Sequence, residues 1–100
     1  MREQHDESGR TALRLTVYGR VQGVSYRANA QTEALHLGLQ GWIRNRHDGA
    51  VEALVIGPHS RVDAFVEWAR NGPPGARVDR LEVSIAEFEK VDAFSVWPTV

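Results

Sequence analysis

The sequence contains no cysteine, one methionine, and no apolar run approaching the roughly 20 residues needed to cross a bilayer. Without cysteine there is no disulfide, no thiolate nucleophile and no cysteine-based zinc site, a composition that suits a reducing compartment. An excess of either charge is also missing. Twelve basic residues against 13 acidic ones leave a formal net charge of -1, which offers no electrostatic footprint to nucleic acid or an anionic membrane. The polar start, Met1 to Arg10, lacks the apolar stretch of a secretory signal. These absences lead us to expect a cytoplasmic protein that takes a small, locally recognised ligand, with no nucleic-acid partner and no membrane partner; a monomer is expected as well.

With 100 residues there is room for one compact domain and one core, and none for a second catalytic domain. Residues 1–10 are charged or small and have no apolar periodicity, so they read as a flexible leader to a domain over residues 11–100. Leu13, Leu15 and Val17 alternate with Arg14, Thr16 and Tyr18, the period-two pattern of a half-buried strand that stops at Gly19. Tyr26, Ala30, Ala34 and Leu37 have helical spacing, and Gly38 supplies a left-handed residue to close that helix. Two strand-like runs, 40–46 and 50–57, flank His47-Asp48-Gly49, an Asp-Gly hairpin signal.

Ser60 and Asp63 have the spacing of a capping box, ahead of a second helix carrying Val62, Phe65, Val66 and Ala69. Asn71-Gly72-Pro73-Pro74-Gly75 stops it. Leu81, Val83 and Ile85 alternate again, and a short last strand is expected to hold Phe94 and Val96. The order strand, helix, strand, strand, helix, strand predicts an α+β fold. It is the ferredoxin-like βαββαβ sandwich, here with a fifth strand and with two helices on one face of a mostly antiparallel sheet. Trp42, Trp68 and Trp97 are expected in or at the edge of the core, and Glu82, Glu87 and Glu89 on a solvated surface.

The segment from Gly19 to Arg27 joins the first strand to the first helix. Gly19 and Gly23 let the backbone turn sharply and approach a ligand without side-chain obstruction. Loop amides together with the unsatisfied first N–H groups of a helix form a donor array that suits a tetrahedral oxyanion. Arg27, in that helix's first turn, can fork onto two phosphate oxygens. Glycines that serve only to turn the chain, and an arginine that is merely solvated, would give the same local pattern. Asn45, at a strand end on the same face as Gly41 and Ile43, would in isolation read as turn chemistry.

Two strings together go further. Gly19-Arg20-Val21-Gln22-Gly23-Val24-Ser25-Tyr26-Arg27 resembles the acylphosphatase signature Gly-x-Val-Gln-Gly-Val-x-(Phe or Tyr)-Arg, with Tyr26 in place of the commoner Phe. Gly41-Trp42-Ile43-Arg44-Asn45, followed by Asp48-Gly49-Ala50-Val51-Glu52, resembles that family's second signature, with Ile43 in place of Val. The resemblance spans about residues 12 to 97. The C-terminal run Ser95 to Val100 lacks the basic and tyrosine residues that many members carry. By resemblance, Val21, Gln22, Gly23, Val24, Ser25, Tyr26 and Arg27 would bind the phosphate, and Arg27 and Asn45 would be the catalytic pair. In the family the loop amides and the arginine hold the phosphate while the asparagine positions the attacking water.

The resemblance implies hydrolysis of a small acyl phosphate with no cofactor and no metal, and with inorganic phosphate or sulfate as product or competitive inhibitor. His5, His36, His47 and His59 are scattered without metal-ligand spacing, and Ser25 has no base beside it to make it a nucleophile. Two other functions use the same residues. One is a non-catalytic anion-binding regulatory module. The other is an accessory domain in carbamoyl transfer, against which the length of the chain argues. Reading RNA on the sheet would need exposed aromatics that Tyr18 and Trp42 do not reproduce.

Overall fold

A computed structural model describes residues 9–100. The expected leader therefore lies outside the described residues, except for its last two. Arg10 opens the first strand rather than ending a leader, because it pairs with Pro58 across the sheet.

The elements are β1 (Arg10–Arg20), α1 (Tyr26–His36), β2 (Gln40–Asn45), β3 (Val51–Pro58), α2 (His59–Asn71), β4 (Arg77–Ile85) and β5 (Phe94–Val96). They form one sheet in the order β4-β1-β3-β2-β5. β1 pairs antiparallel with β3 and β4, and β2 antiparallel with β3, whereas β5 runs parallel to β2. This is the expected ferredoxin-like α+β arrangement, with the fifth strand at the β2 edge.

The period-two pattern explains the main core. Leu13, Leu15 and Val17 of β1 and Val51, Ala53 and Val55 of β3 point to the helices and are buried. Ala30 and Ala34 of α1 are fully buried, and their small side chains let the helix lie close to the sheet. α1 ends as its sequence implies. The Gly38 N–H donates to Leu35 O at 3.1 Å and the Leu39 N–H to Ala34 O at 2.9 Å, the paired bonds of a glycine-terminated helix, and Leu39 folds back into the core.

α2 departs from the expected start. It begins at His59, with Pro58 at the cap position and no side-chain capping bond. β3 stays paired with β1 as far as Pro58, so the chain passes directly from strand to helix and Ser60 is already inside it. Asp63 instead approaches the ring of His59, one turn before it, at 3.2 Å.

The helix-free face has its own small core. Ala12, Trp42, Leu54 and Ile56 are covered by Ala86, Phe88, Val91 and Trp97, so the chain after β4 crosses back over the sheet. Trp42 and Trp97 stack with ring centroids 4.7 Å apart. The expected solvent-facing carboxylates are more engaged than their exposure suggests. Glu89 accepts a hydrogen bond from the Trp42 indole N–H at 3.2 Å, and Glu82 one from the Tyr18 hydroxyl at 3.3 Å. At the other edge, β4 pairs only with β1 among the described residues, and Val83 and Ile85 remain more than a third exposed despite their alternation.

Tyr26 ties the start of α1 to the end of α2. Its hydroxyl donates to Ala69 O at 2.8 Å and its ring packs against Trp68 at 5.3 Å. Burial pushes the phenol well above the ordinary tyrosine range. In the unfolded chain tyrosine loses its proton near about pH 10, whereas folded Tyr26 retains it. Its contribution to stability is therefore complete below that pH and falls as pH rises beyond it. Tyr26→Phe is expected to cost about 1 kcal/mol at neutral pH through loss of the buried hydrogen bond, and to flatten part of the alkaline decline. Urea unfolding of both proteins at about pH 7 and about pH 10.5 checks this; equal alkaline slopes would show that Tyr26 is not responsible.

Candidate active site

The site begins where β1 leaves the sheet. The pairing of β1 with β4 shifts register between Tyr18 and Gly19, and Gly19 has φ +130° with no room for a side chain, since a Cβ would lie 2.2 Å from Arg77 O. The chain then peels away from the sheet and turns into α1. Val21 is buried and Val24 half-buried, both against the main core, and they anchor the loop from beneath. Ser25 has φ +61°, the one non-glycine in the left-handed region among the described residues.

Ser25 precedes α1 without forming a side-chain cap, and the first turn carries no acidic residue. Its carbonyl accepts from the Asn29 N–H at 3.1 Å and the Asn29 side-chain amide at 2.8 Å. The positive end of the helix is thus neither capped nor neutralised by its own side chains.

A cavity of about 480 Å³ opens over this turn. Val21, Gln22, Gly23, Ser25, Tyr26 and Arg27 line it from the loop and the start of α1. Asn45 reaches it from the end of β2, so the two motifs separated in sequence share one cavity. Val24 is not among the lining residues; its side chain is occupied by the core. Tyr26 lines the wall, with its hydroxyl turned to Ala69.

Arg27 is half-buried, and its guanidinium makes no ion pair or side-chain hydrogen bond with any described residue. It is the one cationic side chain lining the cavity among the described residues. The neighbouring Arg46 is engaged elsewhere, bound to Asp48 at 2.6 Å. The Ala50 N–H, helped by Arg46, holds the Asp48 carboxyl below the usual carboxylate range. The Asp-Gly turn thereby builds the hairpin that carries Asn45. Asn45 Oδ1 is buried and accepts no hydrogen bond from any described residue. An orphaned buried amide oxygen is costly, and it belongs to the residue that brings the second motif to the cavity.

The side-chain amide of Gln22 is engaged by the main chain. Its Nε2 donates to Arg46 O at 2.8 Å and to Ala50 O at 2.9 Å, on the hairpin that follows Asn45. Three lining residues were not singled out from the sequence: Ala28, Gln31 and Val96. Gln31 lies one helical turn beyond Arg27, a neighbour that i, i+4 spacing would have found. Its amide donates to Phe94 O at 3.0 Å and so fixes β5 against α1. Val96 enters through the parallel pairing of β5 with Ile43 of β2. His47 sits exposed in the hairpin turn, and no three His, Asp or Glu side chains among the described residues converge as metal ligands.

The family model for acylphosphatases matches residues 13–96. The chain belongs to the acylphosphatase family. A curated acylphosphatase of Azoarcus sp. strain BH72 is 54% identical over 93 residues, covering 93% of this chain and 95% of the relative. Among solved structures, an acylphosphatase from Coxiella burnetii superposes with a TM-score of 0.87 at 33% identity, covering 91% of this chain and 96% of its own. One from Bacillus subtilis gives 0.83 at 40% identity, covering 86% and 97%. Fold and family therefore agree with the resemblance carried by the two motifs.

Proposed function

We propose that this acylphosphatase hydrolyses the carboxyl–phosphate bond of small acyl phosphates, with the loop amides and Arg27 holding the phosphoryl group and Asn45 directing the attacking water. The observation that carries the reading is one cavity lined by Asn45, whose buried Oδ1 has no partner among the described residues, by the unpaired Arg27 and by the uncapped start of α1.

The chemistry suits such sparse equipment. Water oxygen attacks phosphorus, the bond from phosphorus to the acyl oxygen breaks, and the carboxylate leaves with the electron pair. A dianionic acyl phosphate and water give a carboxylate and dihydrogen phosphate, so both protons of the water end on the phosphate product. No separate base is required to absorb a proton. The site needs to align the water in line and to stabilise charge on the phosphoryl oxygens. An asparagine, which does not titrate near neutrality but offers both acceptor and donor, is adequate for the first task. A forked guanidinium with converging amides is adequate for the second.

Inorganic phosphate and sulfate present the same tetrahedral oxygens and act on this reading as competitive inhibitors. The cysteine-free sequence supports a cytoplasmic setting.

Arg27→Lys keeps the charge but loses the planar fork, so the inhibition constant for phosphate is expected to rise about tenfold or more. Arg20→Ala, at an exposed position outside the cavity lining, should change it less than about twofold. Steady-state inhibition with benzoyl phosphate as substrate measures both; equal effects of the two replacements would move the phosphate clamp away from Arg27.

Asn45→Ala removes donor and acceptor together. kcat is expected to fall about a hundredfold or more, the scale of one preorganised transition-state hydrogen bond, with a much smaller change in phosphate affinity. Circular dichroism and thermal melting establish that the variant is folded. Retained kcat with collapsed phosphate binding would make Asn45 a ligand-binding residue instead.

A further inference from the structure

We propose that Gln22 is a positioning residue for this hydrolysis, and that its side chain fixes the phosphate loop relative to the Asn45 amide. The proposal rests on the functional reading above and adds a residue to it. Gln22 lies in the middle of the loop, where its main chain can serve the phosphate, yet both protons of its Nε2 have main-chain partners: Arg46 O at 2.8 Å and Ala50 O at 2.9 Å. Neither is left for a bound anion.

Those two carbonyls form the base of the β2–β3 turn. Arg46 follows Asn45 directly, and its N–H donates to Ala50 O at 2.8 Å. Arg46 O also closes the turn by accepting from the Gly49 N–H at 3.1 Å. One side-chain amide therefore spans from the segment that holds the substrate's charge to the residue beside the one that directs water. Among the described residues, these two bonds are the hydrogen bonds that join the loop Val21–Ser25 to the Asn45 hairpin.

The consequence is geometric. β1 and β2 are not neighbours in the sheet, since β3 lies between them. The loop after β1 and the end of β2 could therefore shift relative to one another without breaking the ladder. In-line attack tolerates little of this, because a misplacement of about 1 Å can cost about a hundredfold in rate. Gln22 removes that freedom with a neutral donor, which leaves the anion-binding charge of the cavity to Arg27.

The test is a double-mutant cycle on the full chain with benzoyl phosphate. Gln22→Met keeps the length and the apolar stem and removes both donors. We expect kcat to fall about tenfold while the inhibition constant for inorganic phosphate changes less than about threefold. On the Asn45→Ala background the same replacement should lower kcat by less than about twofold, because the group it positions is already absent. Unchanged kcat in Gln22→Met, a loss that multiplies in full with Asn45→Ala, or a loss confined to phosphate affinity would overturn the assignment.

Should Gln22→Met not fold, Gln22→Glu gives a second measurement. Its carboxylate would face two carbonyl oxygens, whereas its protonated form recovers one donor, so kcat relative to wild type should rise as pH falls through the carboxyl range. A wild-type pH profile would overturn the assignment as well. Wild-type turnover, measured alongside, separates the outcomes: no turnover there defeats the hydrolysis reading, while normal turnover with additive mutants defeats only the role of Gln22.

Discussion

The site depends on one row of residues across three strands. Val17 of β1 pairs with Val51 of β3, and Val51 in turn pairs with Asn45 of β2. This register aligns the exit of β1, from which the loop springs, with the end of β2. It also fixes the face on which Asn45 lies. A slip of one residue between β2 and β3 would turn Asn45 to the helix-free face and Arg44 to the cavity, because strand side chains alternate. The slip is opposed by burial, since it would also take Ile43 out of the main core and put Arg44 in its place.

The helix-free face reinforces that register with polar chemistry. Glu52, only 12% exposed in its side chain, meets Arg14 and Arg44 at 2.9 Å each, one from either neighbouring strand. Both guanidinium groups also lie over Trp42, 5.3 Å and 4.6 Å from its ring centroid. A charge this buried is costly unless well paired, and removal of one partner would strand the other. The observed register makes this pairing possible, because Arg44 stands directly opposite Glu52 and Arg14 lies two residues along β1 from Thr16, the partner of Glu52. The aromatic cover from Trp97 and the segment before it closes this layer and stiffens β2 behind Asn45.

Much of this was legible in the sequence where local rules act. Alternation in Leu13, Leu15 and Val17, the glycine that closes α1, and the Asp-Gly hairpin each specify backbone through contacts a few residues away. The two motifs were legible too, and the fold brings Arg27 and Asn45, one from each, to the lining of one cavity. Features that depend on distant partners were not. The crossing of residues 86–91 over the sheet, the parallel pairing that delivers Val96, and the carbonyls that receive Gln22 all arise from tertiary placement. The α2 cap was misread for the same reason, since long-range pairing of Pro58 with Arg10 overrides the local signal at Ser60.

The exceptions to ordinary local chemistry gather at one place. Ser25 sits in a backbone region that disfavours side chains, α1 starts without a side-chain cap, Asn45 buries an unpartnered oxygen, and Arg27 stands without a counter-ion among the described residues. The strained residue and the orphaned buried acceptor each cost stability, on the order of 1 kcal/mol or more. Three carry unused capacity of complementary kinds: helix-end donors and a free cation for an anion, and an acceptor for a proton. On the proposed reading, a phosphoryl group and a water would satisfy them together. The scaffold that tolerates this strain is the doubly covered sheet, with the Gln22 amide tying the loop to the hairpin.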